Sequence, residues 1–155
     1  MVDADGSVQF INLLGWLLSV VVSAWLLFVA APRMGRRRTT IWAVIAIGGT
    51  FLVPAAIIFI MWGTGFQPPI WFGNRLFQLI FTCAALALLS LMTALFSTMM
   101  EAMIRFHETH NAPNLHRFPL RFVIRNRALL EQGFTGLWWL GSMLIFYGIW
   151  TDLQI

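Results

Sequence analysis

The sequence predicts an all-α integral membrane protein: four transmembrane helices with a short cytoplasmic helical segment between the third and the fourth. Three observations predict it. Four apolar blocks, 10–31, 41–62, 76–100 and 134–150, contain no Asp, Glu, Lys, Arg or His. The first three meet the roughly 20 residues that a helix needs to cross about 30 Å of hydrocarbon. Hydrophobic residues make up 59% of the 155-residue chain and charged residues only 10%, far from the balance of a water-soluble domain. So little chain lies outside the blocks that 1–155 reads as one four-helix transmembrane domain, with 101–132 as its one sizeable polar segment.

The stretch before the first block carries Asp3 and Asp5 and no basic residue. A cleaved signal peptide needs a positively charged start, so the first block is expected to remain as a helix. Within it, Gly15, Ser19 and Ser23 recur every four residues, a small-residue row along which a second helix can approach closely. The following loop holds Arg33, Arg36, Arg37 and Arg38.

The second block contains Gly48, Gly49 and Pro54. Pro54 has no N–H for the carbonyl of Thr50, which makes this stretch a possible hinge, although a tolerated kink is the plainer reading. Gln67, Pro68 and Pro69 form a stiff connection, and Asn74 is suited to cap the third helix. The third block places Cys83, Ala87, Ser90, Ala94 and Ser97 at spacings of four and three, a heptad row of small residues suited to left-handed packing. In lipid the tails are as apolar as leucine, so close van der Waals contact and interhelical hydrogen bonds must hold helices together. The rows on the first and third blocks are therefore the expected helix-packing sites.

The fourth block is the weakest span. Its 17 residues, bounded by Glu131 and Asp152, reach about 26 Å as a helix. It can still cross by local thinning of the bilayer or by snorkelling of flanking side chains.

Every basic residue is Arg, and nine of the ten flank the second and fourth blocks on one side; Arg75 stands alone on the other. Basic residues near span ends are retained in the cytoplasm. The predicted location is a cell membrane, in particular a bacterial inner membrane, crossed several times with both termini outside the cytoplasm. Arg75 is expected to snorkel to headgroups, to pair with Asp3, Asp5 or Asp152, or to hold an anion.

The inner segment is where chemistry would lie. Glu101 and Arg105 are four apart, so the third helix is expected to continue past the membrane. Pro119 can open a short second helix. Arg117, Arg121 and Arg125 repeat every four residues with Arg127 nearby, a stripe for anionic lipid or a partner subunit, although topology alone would explain it. The patch is too small and too close to the bilayer for nucleic acid. His107, His110 and His116 could together offer zinc three imidazoles, but solvated histidines are the simpler reading, and no cofactor is expected.

The spans hold no ionisable residue, which argues against proton relays and ion pathways. No axial histidine pair for haem, no Ser/His/Asp set and no phosphate loop can be assembled. Asn12, Ser19, Ser23, Thr50, Gln78, Thr82, Ser90, Thr93, Ser97, Ser142 and Tyr147 suffice for helix–helix hydrogen bonds and make a poor set for catalysis. The expected function is that of a non-enzymatic membrane subunit that scaffolds, anchors or stabilises a larger complex, with lipids and other membrane subunits as partners. The alternative is a small oligomeric transporter or channel with Gly48, Gly49 and Pro54 as its hinge and Thr50, Gln78 and Thr82 along a polar path.

Overall fold

A computed structural model describes residues 2–151, with side chains described from residue 6 onward. All of its regular elements are helical: α1 (Val2–Trp25), a π-helical turn (Leu26–Ala30), α2 (Ala31–Met34), α3 (Arg36–Thr64), α4 (Ile70–His110), a 3₁₀ turn (Ala112–Asn114), α5 (Leu120–Arg125) and α6 (Arg127–Thr151). Three helical segments are long and apolar enough to cross a membrane: Gly6–Met34, Arg36–Thr64 and Ile70–His110. The fourth long helix, α6, has 25 residues, or about 37 Å of length. Its many glycines, its tryptophans and Tyr147 dilute its hydropathy, so it is long enough to cross but less apolar than the other three.

Residue pairs fix the directions of the helices. Trp16 meets Tyr147 edge-on while Phe28 meets Trp139, so α1 and α6 run antiparallel. Gln78 reaches Trp150 while Phe96 stacks on Phe134, so α4 and α6 are antiparallel too. The long helices thus alternate in direction along the chain. The core lies among α1, α4 and α6, where Leu27, Leu89, Phe146, Ile149 and Trp150 pack together with Trp16, Val20 and Trp139 against them. By contrast, α3 packs chiefly along α4. Only Thr39 and Ala43 of α3 are buried, and Phe51, Leu52, Val53, Ile58, Phe59, Ile60 and Trp62 are all exposed.

Local chemistry explains the breaks. Pro32 cannot donate to the carbonyl of Phe28, and the wider π turn sits just ahead of it, with the N–H of Ala31 reaching back to Leu26. Gly35 then reverses the chain at φ +76°, a conformation that L side chains rarely adopt, and the Thr39 hydroxyl donates to its carbonyl at 3.0 Å. α4 begins at Ile70, directly after Pro69, so Asn74 lies inside the helix and does not cap it. Proline is well placed there because the first N–H groups of a helix have no partner within it. Pro119 likewise precedes α5.

Candidate functional site

The two small-residue rows fare differently. On α1, Gly15, Ser19 and Ser23 are all buried, and a Cβ built on Gly15 would collide with the indole of Trp150. The ring occupies the space that the missing side chain leaves. On α4, Ala87, Ser90 and Ala94 are buried and Ser97 is half-buried, but Cys83 is exposed. Upstream of Ala87 the buried face continues through Gln78 and Thr82. Cys83 is one residue, and so about 100°, around the helix from Thr82.

Four of the serines donate within their own helix. Ser19 donates to Gly15, Ser23 to Val20, Ser90 to Leu86 and Ser142 to Trp139, each a carbonyl of its own helix. Their contribution is small volume with the hydroxyl satisfied locally. Tryptophans bond α1 to α6. Trp16 Nε1 donates to the Met143 carbonyl at 3.0 Å, Trp139 Nε1 to the Val20 carbonyl at 3.4 Å, and Trp150 Nε1 to Ser19 Oγ at 3.0 Å. Sequence reading missed these three, because indole position cannot be inferred from spacing on one helix. Trp placed opposite a glycine–serine row is the signal that was available.

At the same end, Arg75 donates from Nη1 to Asn12 Oδ1 at 2.6 Å and to Gln78 Oε1 at 2.8 Å. Buried Gln78 donates in turn to the Trp150 carbonyl at 3.3 Å. One polar chain thus joins α1, α4 and the end of α6. Among the described residues Arg75 forms no ion pair; Asp152 and the side chains of Asp3 and Asp5 lie outside them. Thr82, one turn beyond Gln78, is buried with its hydroxyl unpartnered.

The opposite end is basic. Glu101 of α4 accepts from Arg36 at the start of α3, from Arg105 at 3.2 Å, and lies 4.0 Å from Arg127 of α6. The Arg36 hydrogen bond and charge, with smaller contributions from Arg105 and Arg127, hold the Glu101 carboxyl below its usual value of 4.5. Arg127 also binds Glu131 at 2.9 Å. These contacts tie α3, α4 and α6 together.

The expected arginine stripe divides here. Arg127 is drawn into the carboxylate cluster, and Arg117 lies before α5 begins. Arg121 and Arg125, one turn apart on α5, line an open groove of about 420 Å³ with His116, Phe118, Phe122 and Asn126. A second groove, of about 410 Å³, runs along α4 past Glu101, Arg105 and His110.

The histidines are not brought together. His110 stacks on Phe106 with ring centroids 4.8 Å apart, His107 contacts the Asn111 amide at 3.4 Å, and His116 faces the α5 groove. Among the described residues no group of three His, Cys, Asp or Glu could hold a metal ion. The turn at 111–119 does not fold His116 back onto α4 as a third ligand would require.

The proposed hinge residues lie in α3, which continues as a helix through Pro54. A Cβ on Gly48 or Gly49 would meet nothing within 4 Å, and Thr50 donates to the Ile47 carbonyl at 2.6 Å. The architecture is that of an all-helical protein with three membrane-length apolar helices. Compared with known protein families, with curated proteins and with solved structures, the chain has no match.

Proposed function

We propose that this protein is a non-enzymatic subunit of a multi-protein membrane complex, with four spans, both termini outside the cytoplasm and the arginine-rich end inside, in a bacterial inner membrane. The observation that supports it best is the isolation of α3. This helix is attached along one side to α4, and beyond its basic first turn its remaining surface is chiefly apolar, with Gly48 and Gly49 open to their surroundings. Open glycines on an apolar helix let another backbone approach closely, which is how membrane helices associate. Indole hydrogen bonds tie α1 to α6, the Gln78 amide ties α4 to the end of α6, and this core forms a mount for such a helix. α6 counts as the fourth span because it packs antiparallel to α4 along its length. Lipids would cover the faces that partner subunits leave free.

Purification in a mild detergent, followed by identification of co-eluting proteins, tests this reading. Stoichiometric membrane partners are expected, with their retention weakened by bulky substitution at Gly48 or Gly49. Recovery as a lone monomer at every detergent strength would oppose it. Tracer flux into proteoliposomes above that of empty vesicles would favour the transporter alternative instead.

A further inference from the structure

We propose that the groove on α5 seats the phosphate of an anionic lipid headgroup between Arg121 and Arg125. This deepens the reading above and rests on its placement of the arginine-rich end at a membrane surface. The argument begins with what separates these two arginines from their neighbours. Arg36, Arg105 and Arg127 all meet carboxylates, whereas among the described residues Arg121 and Arg125 meet none. Both are exposed, they stand four residues apart on one helix, and they line the same groove of about 420 Å³. No acidic side chain lines it, and His116 adds a third nitrogen-bearing group. The Asn126 amide already donates to the Phe122 carbonyl at 2.9 Å, so the guanidinium groups are the principal free donors.

Two guanidinium groups one turn apart match the tetrahedral oxygens of a phosphate, which each can bind bidentately. The rest of the groove points to a lipid as the source. Phe118 is 85% exposed and Phe122 50%, both on the groove itself, and Leu129 beyond it is 66% exposed. Exposed aromatic rings beside arginine are costly in water and favourable at the boundary between headgroups and acyl chains. A soluble phosphate would use the arginines and leave the rings uncovered; a lipid covers both.

The test uses the full chain in nonionic detergent, titrated with phosphatidylglycerol or phosphatidylcholine, with bound lipid read by native mass spectrometry. The wild type should prefer phosphatidylglycerol. Affinity for it should fall about fivefold in R121Q or R125Q and roughly thirty-fold in the double variant, as expected for two independent charges near an anionic surface. The R121K/R125K pair keeps the charge and guards against misfolding; it should lose severalfold, because an ammonium group cannot bind bidentately. R37Q/R38Q, at exposed arginines outside the groove, should bind like the wild type. Equal retention of the two lipids, no loss in either double variant at Arg121 and Arg125, or an equal loss in R37Q/R38Q would overturn the proposal. Displacement of the lipid by equimolar inorganic phosphate would overturn the lipid assignment. Failure of the subunit reading is seen separately, as a lone monomer whose lipid preference is intact. Failure of the membrane reading is seen earlier, as protein in the carbonate-wash supernatant.

Discussion

The indole Nε1–H of Trp150 donates to the hydroxyl oxygen of Ser19 at 3.0 Å, across 131 positions of sequence. The ring that makes this bond lies over Gly15, and the Trp150 carbonyl accepts from Gln78. One residue near the end of α6 therefore locks α1 and α4 together.

Gly15→Ala tests the close approach. The added methyl enters space that the Trp150 ring fills, and overpacking of this kind costs about 1–3 kcal/mol. Gly48→Ala and Gly49→Ala meet open space and should be neutral or stabilising by roughly 0.5–1 kcal/mol, since Ala is the better helix former. Unfolding midpoints in mixed micelles, followed by tryptophan fluorescence, should separate the two classes.

A double-mutant cycle on Ser19→Ala and Trp150→Phe isolates the indole bond. Polar contacts between membrane helices couple by about 0.6 kcal/mol on average and about 1.7 at most. A coupling in that range is expected. Zero coupling would mean that Trp150 acts through its volume alone.

Glu101 makes the basic end sensitive to acid. Its folded value lies below 4.5, mainly through the Arg36 hydrogen bond, so its pairing stabilises the fold fully above about pH 4.5 and is lost as pH falls through the lower folded value. The wild type should therefore lose stability on acidification in this window, and Glu101→Gln should remove most of that dependence. Arg36→Gln should blunt it more than Arg105→Gln, because Arg36 is the largest cause of the shift. Midpoints measured from about pH 6 downward check the order.

Topology can be read with impermeant maleimide on single-cysteine variants in a Cys83→Ser background. Gly6→Cys and Gln67→Cys should label in intact cells and Asn114→Cys only after permeabilisation. A cysteine appended after Ile155 decides whether α6 crosses. Labelling in intact cells means four spans, and protection like that of Asn114→Cys means three.

The helices themselves were legible without coordinates. Apolar runs free of charge, Pro119 before a helix start and the Glu101–Arg105 spacing follow from interactions within a few residues of sequence; the start of α4 was misplaced, since Asn74, expected as its cap, lies inside the helix. The small row of α1 was legible for the same reason, since a four-residue spacing in a helix marks one face. The other row failed at Cys83, because periodicity identifies a face and cannot say how far along the helix a neighbour reaches.

The sequence by itself determined the long apolar helices, because hydropathy, proline geometry and the spacing of charge act locally. Only the tertiary structure decided that Trp150 fills the gap over Gly15, that Arg75 binds Asn12 and Gln78, that Arg127 turns to carboxylates while Arg121 and Arg125 meet none among the described residues, and that α3 stands outside the core. Each of these depends on which helix lies opposite which, at what height and with which rotamer. That choice is made by side chains competing for the same space and the same hydrogen-bond partners across the bundle, and no pattern along a single helix encodes it.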